Sequence, residues 1–206
     1  MLKLYGRNSS INVQKAAWAM GEANLRWEWI DKDGTVGSID SAEYRNLNPA
    51  SQIPTLDDDG LLVRQSNSIV RYIAKKYAKN KLLPSIESQF VEADRWMEWQ
   101  ATDNSKSLVP VFWGLIRTAP GDQDKIAIRA AITELNKSFR LLNDHLEGKR
   151  YVTGNSFSIG DIPAGAAAYR FFSLPIERNS FPHLESWYQN LKKRAAFREL
   201  VMVPLS

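Results

Sequence analysis

In Asn48-Pro49-Ala50-Ser51-Gln52-Ile53-Pro54-Thr55-Leu56 a proline stands directly before a strand-like pair, where its missing N–H would spoil a central ladder. A cis bond at Ile53-Pro54 resolves the conflict. It turns the Ile53 N–H and C=O outward, where a peptide-like ligand can pair with both as an added strand. A plain turn before the strand is the alternative. Eleven residues after Pro54, Gln65-Ser66-Asn67-Ser68-Ile69 opens a helical apolar pattern of Ile69, Val70, Ile73, Ala74 and Tyr77. Ser66 is the expected N-cap. The free N–H groups and positive dipole end at that cap also suit a carboxylate, to which the Ser66 hydroxyl can add a hydrogen bond. Capping and ligand binding are compatible roles for this serine.

The elements that must hold these residues fall into two halves. Leu2 to Tyr5 reads as a strand, and Val13, Ala16, Ala17 and Met20 recur at i, i+3, i+4, i+7 of a helix. Arg26 to Ile30 reads as a second strand. Two more, Thr55-Leu56 and Leu61 to Val63, flank a turn at Asp57-Asp58-Asp59-Gly60, and a helix runs from Ser66 to about Tyr77. The predicted order is β-α-β, an irregular piece, then β-β-α. From about Ser88 the strand signal disappears. Helical spacing takes over, most clearly at Ile128, Ala131, Ile132, Leu135, Phe139, Leu142 and Leu146. The join falls near Lys79 to Ser85, where polar residues and Pro84 interrupt the pattern.

Composition narrows the chemistry. With 206 residues, 44% hydrophobic and 24% charged, the chain has the make-up of a soluble globular protein of one large or two modest domains. It contains no cysteine, which excludes disulfides, thiolate zinc sites and an enzyme thiol, so any thiol chemistry must use the substrate's thiol. The two histidines, His145 and His183, lie far along the chain from the first loop and suggest no metal site. The net charge of +4 comes from 27 basic and 23 acidic residues interspersed along the chain. This reads as solvated helix faces rather than a nucleic-acid surface. Met1 to Gly6 lacks a leader-like pattern and no run of about 18 apolar residues occurs, so the expectation is a cytoplasmic protein without a membrane segment.

Phe157-Ser158-Ile159-Gly160-Asp161-Ile162 reads as a helix start in which Ser158 accepts from the Asp161 N–H and Asp161 reaches back, with Phe157 and Ile162 as a hydrophobic staple. This pair is folding machinery rather than catalytic.

The arrangement N-P-x-x-x-I-P-T-L, then Q-S-x-x-I, then S-I-G-D-I in an all-helical second half resembles the cytosolic glutathione transferase family over nearly the whole chain. The resemblance, closest to serine-type bacterial-like members, implies an α/β thioredoxin-like N-terminal domain over 1–80 that binds glutathione. It also implies an all-α C-terminal domain over 88–206 that contributes the electrophile site. Carried over, Ile53, beside Gln52 and Pro54, pairs with the cysteinyl backbone of glutathione, while Gln65 and Ser66 hold the γ-glutamyl end. Many members have Glu where Gln65 stands, so an amide oxygen replaces a full charge facing the γ-glutamyl ammonium. Glutathione is implied as co-substrate, with no permanently bound cofactor, and a homodimer is implied, in which an exposed Arg71 could meet the partner.

Within Tyr5 to Lys15, Ser10 matches the hydroxyl position of serine-type members, whose G-x-x-x-S-x-x-x-x-[KR] spacing this loop resembles. Ser9 and Asn12 are the alternatives for activating the thiol, Asn12 also suits helix capping, and Tyr5 is an outside candidate. Trp96 and Trp99 fit helix-core packing, whereas Phe112 and Trp113 are candidates to line an apolar electrophile pocket, with Asn104 as a polar candidate. The expected function is conjugation of the glutathione thiolate to small apolar electrophiles. Glutathione-dependent reduction of organic hydroperoxides, or a non-catalytic binding module on the same fold, are the alternatives.

Overall fold

The computed structural model describes residues 1–32 and 38–206. They divide into two compact units, one of Met1–Leu83 with Ala196–Val203 and one of Pro84–Ala195 with Pro204–Ser206.

The first unit is built on β1 (Leu2–Tyr5), α1 (Ile11–Glu22), β2 (Trp27–Ile30), α2 (Ala42–Leu47), β3 (Thr55–Asp58), β4 (Leu61–Arg64), α3 (Ser66–Tyr77) and the short α4 (Lys79–Leu82). Its mixed sheet has the order β2-β1-β3-β4. β1 runs parallel to β2 and antiparallel to β3, with Tyr5 opposite both Ile30 and Thr55, and β4 runs antiparallel to β3. Alternation along β1 sends Leu2 and Leu4 inward. α1 is buried continuously from Val13 to Met20, which a one-faced amphipathic helix cannot be. It packs against α3 on one side and meets α10 (Ala195–Leu200) on another. The Phe197 ring lies 4.6 Å from Trp18. A Cβ at Gly21 would come within 2.7 Å of Leu200 Cδ1, so α10 approaches only because position 21 has no side chain.

Three local expectations change. The strands extend through Asp57 and Asp58, and the turn narrows to Asp59-Gly60, both at positive φ (50° and 96°), the backbone that a two-residue hairpin with right-handed twist requires. The irregular piece after Ile30 contains α2, a helix too short for periodicity to reveal, whose start is capped by Ser41 Oγ accepting from the Tyr44 N–H at 3.2 Å. Residues 33–37 of that piece lie outside the described residues. Arg71 is half-buried rather than exposed, because it flanks the buried stripe of Ile69, Val70, Ile73 and Ala74.

α3 is pinned to the sheet by Asp58. Its buried carboxylate accepts from Lys76 Nζ (2.6 Å), from Tyr77 OH (2.6 Å) and from Tyr72 OH. Burial alone would raise this carboxyl, but the hydrogen bonds from Lys76, Tyr72 and Tyr77 outweigh it and hold the group at about 2.

The second unit is helical: α5 (Glu87–Trp99), α6 (Ser105–Phe112), α7 (Lys125–His145), α8 (Asp161–Ser173) and α9 (Pro182–Lys192), with π-helical turns at Gln100–Asn104 and Trp113–Arg117 on either side of α6. Its core is aromatic. Phe139 stacks on Phe171 at 4.1 Å, and Trp96, Trp99 and Phe139 meet edge to face at 5.0 and 6.0 Å. Asp161 ties three segments together. It is fully buried, and its carboxylate accepts from the Val152 N–H (3.0 Å), the Ser158 N–H (2.9 Å), Ser158 Oγ (3.3 Å) and Trp187 Nε1 (2.8 Å) of α9. The reach-back predicted for Asp161 is present, but the Asp161 N–H bonds to the Ser158 carbonyl at 3.1 Å, and the Ser158 hydroxyl donates to the carboxylate instead of accepting from that N–H. Aspartate is too short to reach back from further along the helix, so it stands at the first position and gathers the donors there.

Asp58 and Asp161 are therefore expected to be the most costly single polar positions in their units. Asp161→Ala strands four donors and should cost about 3–5 kcal/mol, and Asp58→Asn about 2–3 kcal/mol, both read by urea unfolding. The Asp58 carboxyl lies below its unfolded value near 4. Its contribution, about 2.5 kcal/mol, should be complete above pH about 4 and vanish as pH falls through about 2. A pH-stability profile of Asp58→Asn parallel to that of the parent would sink this account.

Candidate functional site

The Ile53-Pro54 bond is cis. The β3 ladder begins at Thr55, and among the described residues no hydrogen bond is made by the Ile53 N–H or C=O. What orients this segment is the preceding carbonyl. The Gln52 C=O accepts from Tyr44 OH at 2.8 Å and from Asn48 Nδ2 at 2.7 Å, and both donors also reach Thr55 Oγ1, at 2.9 and 3.2 Å. Asn48 Oδ1 in turn accepts from the Ala50 N–H at 3.1 Å. Burial pushes the Tyr44 phenol up, which keeps it a neutral donor. Tyr44 escaped sequence reading because it stands on the helix that periodicity missed, and Asn48 was visible only as part of a motif.

Opposite lies the loop between β1 and α1. Gly6 has φ 146°, and a Cβ there would fall 2.5 Å from Val13 Cγ2 and 3.3 Å from the Ile53 Cβ. Its bare backbone therefore lets α1 and Ile53 close on the loop. The Gly6 carbonyl accepts from Trp29 Nε1 at 2.7 Å, and the Asn8 carbonyl from the buried Gln14 Nε2 at 2.9 Å. Ser10 is the N-cap of α1 by backbone geometry, with its C=O accepting from the Gln14 N–H at 2.9 Å, yet its hydroxyl makes no capping bond. Asn12, considered as a cap, sits inside the helix, and its Oδ1 accepts from Lys15 Nζ at 3.0 Å and from Ser66 Oγ at 3.3 Å. Ser9 lies between Asn8 and Ser10 and is half-buried. Tyr5 belongs to β1, its ring is 6.2 Å from that of Tyr44, and burial raises its phenol.

Ser66 is not the N-cap of α3. Gln65 is, at φ 70° and ψ 125°, and Ser66 becomes the first helical residue. A non-glycine residue at that φ is strained by about 1–3 kcal/mol, a cost met where the surroundings dictate the backbone. The first-turn N–H groups of Ser66, Asn67 and Ser68 have no helical acceptor. The Gln65 and Gln52 side chains meet at 3.5 Å on the exposed rim. Through the Asn12–Ser66 contact the N-termini of α1 and α3 stand side by side, so two positive dipole ends face one small region. The structure thus puts Ser10, Asn12, Gln52, Ile53, Pro54, Gln65 and Ser66 in one unit and brings Asn12 against Ser66 and Gln52 against Gln65.

The residues 4–81 match the family model of the glutathione S-transferase N-terminal domain, and residues 105–195 match that of the glutathione S-transferase C-terminal domain. Glutathione S-transferase GstB of Escherichia coli strain K12 is 34% identical, with all of both chains covered. The chain belongs to the glutathione S-transferase family. Glutathione S-transferase 3 of Zea mays is 31% identical over 99% of this chain and 95% of its own. The theta class glutathione S-transferase of Xanthomonas axonopodis pv. citri, solved with glutathione bound, is 37% identical with a TM-score of 0.95 over 100% of this chain and 99% of that one. The thioredoxin-like sheet followed by a helical domain is the glutathione S-transferase fold.

In this glutathione S-transferase the electrophile-site candidates occupy the helical unit. Asn104 is fully buried in the first π-turn and donates to Ser138 Oγ of α7 at 3.2 Å. Phe112 is buried at the end of α6, with the Arg170 guanidinium 4.1 Å from its ring centroid. Trp113 opens the second π-turn and is 58% exposed. The candidates differ, then: Asn104 and Phe112 are engaged within the bundle, whereas Trp113 presents an indole to solvent. No group of three or more metal-ligating side chains is found among the described residues.

The Gln52 carbonyl network makes a distinct prediction for glutathione binding. Tyr44→Phe and Asn48→Ala each leave one donor on that carbonyl. They should raise KM for glutathione about five- to tenfold, with kcat changed less than twofold, at a stability cost of about 1–2 kcal/mol. Kinetics at varied glutathione separate this from a loss of chemistry, which would appear in kcat.

Proposed function

We propose that this glutathione transferase binds glutathione along the Ile53 backbone edge and ionises its thiol at the N-terminus of α1. The observation that carries this reading is the convergence of the unpaired Ile53 N–H and C=O with two adjacent helix N-termini. The first unit holds glutathione, and the helical unit contributes the electrophile site, with Trp113 as the candidate exposed enough to meet a substrate. The cysteinyl backbone pairs with Ile53 beside Gln52 and Pro54 as an added strand. The γ-glutamyl carboxylate meets the first-turn N–H groups and hydroxyl of Ser66, and the amide oxygen of Gln65 accepts from the ammonium.

A free thiol ionises near 8.5, so thiolate at neutral pH requires a shift of roughly two units, about 3 kcal/mol. A hydrogen bond from a hydroxyl together with a helix dipole is sufficient for that. Ser10 suits the role better than Asn12, since its hydroxyl makes no capping bond while Asn12 already receives Lys15 and Ser66. Ser9 stands next to it in the same loop. The thiol proton leaves to solvent and the thiolate attacks the electrophilic carbon of a small apolar substrate. A carbon–sulfur bond forms as the leaving group departs with its electron pair, and no covalent bond to the enzyme is made. The protein is expected in the cytoplasm, and no described helix is long and apolar enough to cross a membrane. A homodimer is supported by apolar side chains left exposed on each unit: Leu61 on the edge strand β4, and Phe90 and Val91 on α5. Two 23.4 kDa chains should sediment together, and a concentration-independent monomer would remove the dimer from this account.

Steady-state conjugation of glutathione to a chlorinated nitroarene tests the activity; rates no higher than buffer with several electrophiles would sink it. Ser10→Ala should lower kcat/KM at neutral pH by about 10²-fold and return the bound thiol toward 8.5, seen as loss of thiolate ultraviolet absorbance and a rightward pH profile. An unchanged profile would transfer the role to Ser9.

A further inference from the structure

The helical unit carries a second concave site, a groove of about 570 Å³ between α7 and residues 177–179 of the segment leading into α9. That volume falls in the range of small-molecule sites. Its walls are fixed by a buried amide. Asn136 Nδ2 donates to the Ile132 carbonyl at 3.0 Å and to the Glu177 carbonyl at 3.4 Å, while Asn136 Oδ1 accepts from the Asn179 N–H at 3.0 Å. The strap is thereby bonded to α7 through both ends of one side chain, which is itself more than nine-tenths buried.

Two guanidinium groups are held at this groove chiefly by backbone carbonyls and an aromatic ring. Arg140 Nη2 donates to the Ser180 carbonyl at 3.1 Å, and the guanidinium lies 4.7 Å from the Phe181 ring centroid. Arg178 Nη1 donates to the carbonyls of Phe171 and Leu174, at 3.2 and 2.9 Å. Arg178 has no carboxylate partner among the described residues, and Arg140 makes only a long ion pair with Asp144, 4.0 Å from Nη1. Lys137 differs, since Glu134 satisfies it at 2.7 Å. Guanidiniums steadied by backbone and ring keep further N–H donors for a planar anion, and the ordering entropy of the side chains is already spent. Glu177 lines the same groove, where it disfavours multiply charged anions and can accept from a ligand hydroxyl or amine, and Ile132 offers an apolar wall.

We propose that this groove binds a small organic carboxylate of single negative charge that also carries a hydroxyl or amine donor. The carboxylate lies on Arg140 and Arg178, the donor on Glu177 and the carbon skeleton against Ile132. The glutathione-binding residues all belong to the other unit, so this site is a second one.

The probe is 4-hydroxybenzoate, titrated into the full chain without and then with S-methylglutathione saturating the glutathione site, and followed by calorimetry and backbone-amide NMR. One saturable site is expected, with shifts concentrated in residues 132–140 and 177–180. Affinity should fall about tenfold in Arg140→Gln and in Arg178→Ala, while glutathione turnover stays within twofold. Inorganic phosphate should bind more weakly than the probe and gain affinity in Glu177→Gln. Because Arg178→Ala can loosen the strap, Arg140→Gln with an unchanged melting temperature is the deciding variant. Unchanged affinity in that variant, absence of saturable binding, or loss of binding on adding S-methylglutathione would each overturn the proposal.

Discussion

The Gln52 carbonyl accepts two hydrogen bonds, from Tyr44 and Asn48, and the geometry of the unpaired Ile53 edge follows from that. A carbonyl with both lone pairs taken has one orientation, and the next residue, Ile53, must then present its N–H and C=O away from the ladder. Both donors also bond Thr55 Oγ1, the side chain of the first β3 residue, so the same pair joins the ligand edge to the sheet. The short helix α2 matters to the site because it carries Tyr44 into this position.

The second constraint is the pairing of helix ends. Asn12 on α1 and Ser66 on α3 are 54 residues apart and bond at 3.3 Å, which sets two helix N-termini side by side. Each end offers N–H groups with no helical partner, and the buried Lys15 ammonium donates to the same Asn12 Oδ1, so the region between them favours negative charge. Gly6 completes the arrangement by letting Val13 and Ile53 approach the loop closely. The strained backbone of Gln65 belongs to the same logic, since it sets the start of α3 at Ser66, the residue that bonds Asn12.

The helical unit answers to a different kind of control. Asp161 draws together the loop at Val152, the start of α8 and Trp187 of α9 through four donors to one buried carboxylate. Around it the close approach of backbone is made possible by Gly160, where a Cβ would stand 2.8 Å from the Ala93 Cα of α5. Such a fixed bundle places Phe112 beneath Arg170 and leaves Trp113 open to solvent.

By itself the sequence determined the order of the strands and of the two longer helices in the first half, the change of period from strand to helix, the family, and the two motifs at Gln52 to Thr55 and Gln65-Ser66, because these depend on neighbours within a few residues and on backbone rules specific to proline and helix ends. Tertiary structure alone decided which polar groups remain available. Ser66 gave up the cap position because Gln65 took a positive φ. Asn12 was withdrawn from capping by Lys15 and Ser66. The acidic turn sequence became the buried anchor of α3 when Tyr72, Lys76 and Tyr77 closed on Asp58. Each of these outcomes is a competition among donors and acceptors brought together by folding. Local sequence names the competitors, but only the packed chain sets the distances that decide between them.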